Sequence, residues 1–455
     1  MHRTPTVFLL AVSRHSLAIF LSLVALAASA LAGTNERVIY RFKGGSDGYN
    51  PSGPLLADSS GNLYGTTVLG GTGGTCGYNQ DGCGTVFELK RPANSGDPWV
   101  ETVLYRFQGG SDGYYPGSAL VADSDGNLYS TTVDGGSHSN GTVFELKRPA
   151  TLDGPWLHRV LYSFVGVPTG GGNGDGAQPN QIVFDGAGNL YGTTDGGGSC
   201  TDFEGMVMCY GSAFMLTPPT TANGAWTESV IYRFSASGLY NPHSGLIFDK
   251  VGNLYGTTYV GGSHGIGATY ELTPPSAAGG TWTEQDVFDF DGLDGGAPNA
   301  SVAFDSAGNL YGTTLIGGPA NAGTVFELTP PAVPGGSWTE TVLYGFQAAG
   351  DGNSPLANVI FDPSGNLFST AWMGGEFLRG TVFELTPTSV GSEWTETILH
   401  DFGSGNDGQE PTAGLIWGHD GALYGTTSQG GSQPSTQCEL DNYAWSCGIV
   451  VRIEP

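Results

Sequence analysis

The chain has 455 residues and a formal net charge of −27, with 42 Asp and Glu against 15 Lys and Arg. That balance argues against a nucleic-acid-binding protein and against one drawn to anionic lipid, because both partners are held mainly through Lys and Arg. Gly and Pro are abundant, at 77 and 26 residues, but they recur at fixed places between strand-like runs and so read as turns rather than disorder.

Residues 1–32 carry Arg3 and Arg14, an apolar run from Leu17 to Ala32, and the small residues Ala28, Ala30 and Ala32 near its end. This is the layout of a secretory signal peptide, and the run falls short of the roughly twenty residues a membrane-spanning helix needs. Leu31-Ala32-Gly33 approaches a lipobox, but Thr34 stands where a lipidated cysteine is required. Cleavage after Ala30 or Ala32 removes two arginines and no acid, so the exported chain, residues 33–455, is more acidic still. The expected location is secreted, periplasmic or cell-surface, without membrane insertion.

From there the chain repeats itself. Gly-Asn-Leu-Tyr-Gly-Thr-Thr, or a near relative, begins at Gly61, Gly126, Gly188, Gly252, Gly308, Gly365 and Gly421, at intervals of 65, 62, 64, 56, 57 and 56 residues. A period of this size marks units that bury their apolar faces against their neighbours. The unit from Pro116 to Phe164 shows the pattern. Ser118 to Asp123 is a first short run, Asp125-Gly126-Asn127 a turn, and Leu128 to Thr132 a second run. Gly135-Gly136 lies in a loop, Gly141 to Leu146 is a third run, and Trp156 opens a fourth that closes at Phe164. Four β-branched and aromatic runs punctuated by Gly, Pro and Asp make an antiparallel meander. No 3.6-residue apolar period appears outside the leader, so helix is nearly absent.

Both faces of these strands are apolar, as in Val103, Leu104, Tyr105 and Phe107, and radial stacking buries both faces of a blade. The expected fold is all-β, a seven-bladed β-propeller of four-stranded blades in one domain. The chain ends support closure. Arg37 to Phe42 matches a fourth strand with no preceding three, and the last unit stops after its third strand, Gly448 to Arg452. The N-terminal strand can therefore complete the last blade, an advantage that a linear β-solenoid would lack.

The repeated phrase, Asp-Gly-x-x-Pro followed by Gly-Asn-Leu-Tyr-Gly-Thr-Thr, Gly-Gly and Gly-Thr-Val-Phe-Glu-Leu, resembles the choice-of-anchor tandem repeat proteins called GloVer-repeat proteins. The resemblance covers nearly all of the exported chain. It implies bacterial export and a propeller-like body of unestablished biochemical role. Members often carry an anchoring tail; this chain stops at Arg452-Ile-Glu-Pro455 with no apolar or basic tail, so anchoring is not expected from it.

In a four-stranded blade, the loop between strands two and three opens on the same face as the link entering the blade. That loop has eight residues in repeats two, four, five and six, sixteen in repeats one and three, and twenty in repeat seven. Only the long loops hold cysteine, which favours the local pairs Cys76–Cys83, Cys200–Cys209 and Cys438–Cys447 among the fifteen pairings that six cysteines allow. Zinc is the rival reading, but none of the pairs has zinc-knuckle spacing. Trp372 and Trp445 fall on this face outside the repeat pattern, with Tyr443 beside the second, and exposed aromatics of this kind stack on sugars and anchor interfaces. Trp99, Trp156, Trp226, Trp282, Trp338 and Trp394 recur at the start of strand four, and Trp417 replaces a strand-one Phe, so these are read as core.

The links repeat an acid at Asp47, Asp112, Asp175, Asp294, Asp351 and Asp407, with Ser237 in the fourth repeat. Six carboxylates on one face are candidate calcium ligands; the competing reading is Asp-Gly turn chemistry, and no other cofactor is expected. Gly44 to Gly48 and Gly109 to Gly113 match Gly-x-Ser-x-Gly but lack the strand-to-helix setting of a nucleophile elbow. His138 and His264 occupy equivalent loops with no nucleophile beside them in sequence. Arg41, Arg106 and Arg233 fall on outermost strands, away from a shared centre. The expected function is an exported, monomeric, non-catalytic binding or scaffolding module whose partner is a polysaccharide or cell-surface protein. The alternative is a carbohydrate-active hydrolase or lyase on the same scaffold.

Overall fold

The computed structural model describes residues 36–455 except 72–75, 77–81, 95, 152–153, 168–172, 204–205, 222–223, 278, 334, 348–349, 389–393, 405, 432–437, 441–442 and 445, with backbone alone at 203, 206, 439–440 and 443–444. The leader, residues 1–32, lies outside the described residues. So does Trp445, as does the side chain of Tyr443.

Each repeated phrase forms the second strand of a sheet, from Leu63–Thr67 in the first blade to Leu423–Thr427 in the last, and those strands are buried. The first blade is built from Leu56–Ala57, Leu63–Thr67, Thr85–Lys90 and Val100–Arg106, paired in chain order. Six blades follow this scheme. In the seventh, Ile416–Trp417, Leu423–Thr427 and Ile449–Ile453 are completed by the N-terminal strand Glu36–Arg41. That strand pairs antiparallel with Ile449–Ile453, Glu36 opposite Ile453 and Arg41 opposite Ile449. The result is a closed ring of seven four-stranded blades, with no α-helix among the described residues.

The first strands crowd the axis. A Cβ added to Gly53 would lie 2.8 Å from the Ser118 carbonyl oxygen of the next blade. One added to Gly245 would meet Gln181 on one side at 2.9 Å and Ser301 on the other at 3.0 Å. Close approach of a neighbouring backbone at Gly53, and of side chains from both neighbours at Gly245, leaves room only for glycine at these two positions.

Each blade is locked to the next by an aromatic residue just past its fourth strand. The Phe42, Phe107, Phe164, Phe234, Phe290 and Phe346 rings meet Phe87, Phe144, Phe214, Tyr270, Phe326 and Phe383 of the following blade edge-to-face, with centroids 5.0–5.2 Å apart. The same residues anchor their backbone in their own blade, as when Phe107 N–H donates to the Gly84 carbonyl at 3.1 Å. In the last blade Phe402 buries into the cluster that holds Val451. Trp417 takes the strand-one Phe position, packs on Phe368 at 5.2 Å and donates its indole N–H to the Phe361 carbonyl at 2.8 Å.

The paired threonines of the repeat divide the polar work. The first reaches the chain entering the next blade, as in Thr193 Oγ1 to the Ser244 carbonyl at 2.7 Å and Thr313 Oγ1 to the Ala357 carbonyl at 2.9 Å. The second stays in its own blade, where the Thr67 and Thr85 hydroxyls bond at 2.8 Å and those of Thr132 and Thr142 at 2.8 Å. Most of these buried hydroxyls are satisfied in place, as burial requires, whereas Thr258, Thr269, Thr381 and Thr426 leave theirs without a partner.

Replacing Phe42 by Ala should cost about 3–5 kcal/mol, the usual penalty for truncating a buried Phe. The half-exposed Phe377 should tolerate the same change with little loss. Urea unfolding of both variants checks this, and an equal effect at the two positions would contradict the interblade lock.

Candidate functional site

The three disulfides Cys76–Cys83, Cys200–Cys209 and Cys438–Cys447 form as the loop segregation implied. All lie on the face where the links enter the blades. On that face each link presents one residue in the left-handed region although it is not glycine. These are Asn50, Tyr115, Gln178, Asn241, Ala297, Ser354 and Glu410, at φ between 50° and 62°, each followed by proline. Such a conformation costs roughly 1–2 kcal/mol per residue and persists only where its surroundings impose it.

The surroundings are hydrogen bonds from two sides. Asn50 N–H donates to the Cys447 carbonyl at 3.0 Å and Tyr115 N–H to the Cys83 carbonyl at 3.1 Å. Asn241 N–H donates to the carbonyl of Tyr210, next to Cys209, at 3.1 Å. Their own carbonyls accept from the residue that follows the repeated threonines, as when Asn50 accepts from Val68 at 3.0 Å and Ser354 from Trp372 at 3.2 Å. Each disulfide thus sits directly beneath the strained turn of the neighbouring blade.

This construction yields a rim around the axis. Its second row is Val68, Val133, Asp195, Tyr259, Leu315, Trp372 and Ser428, one equivalent position read around the seven blades. The frame beneath repeats, whereas these side chains differ widely. Two polar clusters stand out. Asn180 Nδ2 donates to Asp195 Oδ1 at 2.7 Å, His243 Nδ1 lies 3.6 Å from Asp195 Oδ2, and the His243 ring centroid is 5.2 Å from that of Tyr259. Burial raises the Asp195 pKa, against the opposing pull of His243 and Asn180. Further round, Gln429 Nε2 donates to Glu410 Oε2 at 2.7 Å and Arg379 lies 3.8 Å from the same carboxylate. Trp372 is half-buried in the rim.

The six link aspartates do not come together. Asp47 accepts from the Tyr40 hydroxyl at 2.7 Å and from Lys43 N–H at 2.8 Å. Asp112, Asp175 and Asp351 accept from Tyr105, Tyr162 and Tyr344 in the same way. Asp407 faces His400, which replaces that tyrosine, at 3.3 Å. Where the pair is broken the structure compensates. With Ser237 in the link, Tyr232 turns to Glu284 at 3.1 Å; with Phe288 in the strand, Asp294 accepts from Asp291 N–H at 2.9 Å. Among the described residues no three His, Cys, Asp or Glu side chains gather as a metal site.

Beside these aspartates lies an acid of the fourth strand. Glu101, Glu228, Glu340 and Glu396 each leave one carboxyl oxygen buried without a hydrogen-bond partner. Burial first, and then the carboxylates of Asp47, Asp175, Asp294 and Asp351 respectively, push each of them up to about 7. In blade two His158 takes the glutamate position and sits 3.1 Å from Asp112. Burial alone would raise Asp112, but hydrogen bonds from His158, Gln108 and Tyr105 outweigh it and hold the carboxyl below its ordinary range.

The serines of the Gly-x-Ser-x-Gly matches lie on short 3₁₀ turns, Gly45–Asp47 and Gly110–Asp112. Arg41, Arg106 and Arg233 bond link carbonyls, as in Arg106 Nε to Ser46 at 3.0 Å. His138 and His264 lie on exposed loop turns. Asp195 and His243 were missed by reasoning from sequence. Their signal was departure from the repeat, an acid where other blades carry mostly apolar or aromatic residues.

The model of the Gloeobacter/Verrucomicrobia repeat matches residues 26–206 and 199–437. No curated protein matches the chain. Among solved structures it is similar to PorZ, described as an essential surface component of the type-IX secretion system of Porphyromonas gingivalis, at 16% identity over 90% of this chain and 47% of that one, with a TM-score of 0.48. The chain thus spans about half the length of PorZ. It is also similar to a Bacteroides uniformis protein named as a candidate 6-phosphogluconolactonase, at 17% identity over 76% and 84% of the two chains and a TM-score of 0.47. A Dyadobacter fermentans protein of unknown function matches at 12% identity over 92% and 98%, with a TM-score of 0.45.

The glutamate ring makes stability fall with rising pH. The fold holds these four groups near 7 against about 4.3 for an unperturbed glutamate. Their contribution is therefore complete below about pH 4.3 and is lost as pH rises through 7. Calorimetry should give a higher Tm at pH 5 than at pH 8. A variant with Gln at these four positions and at Glu284, which burial and then the Asp286 carboxylate also push up to about 7, should regain most of the difference at pH 8; a Tm that climbs from pH 5 to 8 would contradict the assignment.

Proposed function

The chain belongs to the Gloeobacter/Verrucomicrobia repeat family, and on that footing we propose that it serves outside the cytoplasm as a non-catalytic recognition module for a polysaccharide or a cell-surface protein. The observation that carries this reading is the contrast at the axial rim. The frame repeats in every blade, while the strained positions above it, three of them backed by disulfides, carry six different residue types around the seven blades. Backbone strain held at one locus is characteristic of functional sites, and loops on a rigid scaffold are the usual seat of recognition. The three disulfides fit an oxidising compartment. Exposed apolar side chains on the same face, Met373, Phe377 and Leu378, add contact area beside Trp372.

The pairing of His243 with Asp195 favours one second reading, a carbohydrate-active hydrolase or lyase. A carboxylate that orients an imidazole is the arrangement of a general base, and His243 is partly open to solvent while doing so.

A glycan array and cell-surface pull-downs with the exported chain, run beside Trp372→Ala and His243→Ala, distinguish the two. The recognition reading expects binding without turnover, weakened at least tenfold by Trp372→Ala. Turnover abolished by His243→Ala would replace it with the enzymatic reading.

A further inference from the structure

The opposite face carries a second, chemically different feature. A cleft of about 1470 Å³ opens there between blades seven, one and two, lined by Arg37, Lys90, Arg91, Trp99, Arg148 and Trp156 among others. Its position follows from a local sequence change. Blades three, four and five end their third strand in Leu-Thr-Pro-Pro, but blades one and two read Leu89-Lys-Arg-Pro92 and Leu146-Lys-Arg-Pro149. The turn asparagines fix the backbone of these segments, Asn62 Oδ1 accepting from Arg91 N–H at 3.0 Å and Asn127 Oδ1 from Arg148 N–H at 2.9 Å. The guanidinium arms then lie across the neighbouring hairpin turns, where a Cβ on Gly61 would sit 3.0 Å from Arg91 Cδ and one on Gly126 3.0 Å from Arg148 Nη1.

These cations are not neutralised internally. Arg37, Lys90, Arg91 and Arg148 are exposed, and among the described residues the ion pairs of Lys and Arg are made by Arg379 and Arg452. Of the acids that also line the cleft, Asp58, Glu88 and Asp420 are already engaged. The Tyr64 hydroxyl bridges Asp58 at 3.2 Å and Glu88 at 3.1 Å, and Arg452 holds Asp420 at 2.9 Å. In a chain of formal charge −27, the cleft is locally balanced, its five cations matching the acids Glu36, Asp58, Glu88, Asp420 and Glu454 that also line it, and four of those cations stay outside any ion pair among the described residues and open to an anionic ligand. Trp99 and Trp156 stand half-buried in the same cleft, giving flat apolar surfaces beside guanidinium groups.

We infer that this cleft is a binding site for an acidic polysaccharide, its sugar faces laid on the tryptophans and its carboxylate or sulfate groups held by Arg91, Arg148 and Lys90. Guanidinium groups pair with such oxyanions through charge-assisted hydrogen bonds, and aromatic rings accept the apolar faces of sugars. A nucleic acid fits poorly, because a duplex carries about one charge per 1.7 Å and would meet the surrounding acidic surface. The site is separate from the axial rim and leaves the recognition reading there intact whether or not it stands.

The test is calorimetric titration of the exported chain with polygalacturonate and chondroitin sulfate, with dextran and a single-stranded oligonucleotide as comparisons. At least one acidic glycan should bind, its affinity falling as salt is raised. Arg91→Gln with Arg148→Gln should weaken it at least tenfold, while Lys250→Gln elsewhere on that face and Trp372→Ala on the other leave it unchanged. An unaltered Tm for the double variant confirms that folding is intact. Absence of binding to both acidic glycans, binding that survives the double change, or equal affinity for dextran or for the oligonucleotide would overturn the assignment.

Discussion

A phenylalanine at the end of each outermost strand is anchored in one blade by its backbone and buried in the next by its ring. That arrangement makes every blade depend on its neighbour, as repeat architectures do, and it leaves no free edge only if the ring closes. Closure is supplied by the N-terminal strand, whose Phe42 meets Phe87 of blade one while Glu36–Arg41 completes blade seven. The stiff repeat of glycine, threonine and phenylalanine follows from this constraint. Glycine takes the tight axial contacts at Gly53 and Gly245, most of the threonines satisfy buried polar groups within and between blades, and the phenylalanines transmit the packing.

A frame so determined frees other positions to vary. The seven left-handed link residues include tyrosine, glutamine, alanine and glutamate, none of which adopts that conformation readily. The frame supports them through hydrogen bonds to loop carbonyls, three of which lie at or beside disulfide cysteines. The disulfides consequently matter for the shape of one face more than for the cohesion of the ring. The opposite face is organised by different means. Its Gly-Asn hairpins close on themselves, as Asp58 shows by accepting from Ser60 and Asn62 N–H at 2.8 and 2.9 Å, and its chemistry comes from two Lys-Arg pairs that replace the Thr-Pro of other blades.

The ring, its strand count, its N-terminal clasp and its disulfide pairs were all legible in the sequence, because period and spacing encode them directly. The core role of Trp417 was legible too, since a residue standing in a repeated position inherits that position's environment. The tyrosine–aspartate pairs were written in the sequence as a seven-residue spacing, Tyr40 to Asp47 and Tyr105 to Asp112, that only the bond made meaningful. The polar cluster of Asn180, Asp195, His243 and Tyr259 was hidden for another reason. Its members lie up to 79 residues apart and meet because consecutive blades are neighbours around the axis. The cleft on the opposite face was hidden likewise, its exposed cations being drawn from blades seven, one and two, which only closure brings side by side.

A repeated frame holds the fold, and the recognition site proposed for the chain is the variable rim above it. The most direct measurement replaces Asp195, Tyr259 and Trp372 together by valine, the residue that blades one and two carry at Val68 and Val133. Melting and binding to whole-cell surface preparations are then measured beside the unaltered chain. The account predicts a cooperative melt close to the original and loss of rim-dependent binding. Collapse of the fold, or binding that persists undiminished, would show that frame and rim are not separate.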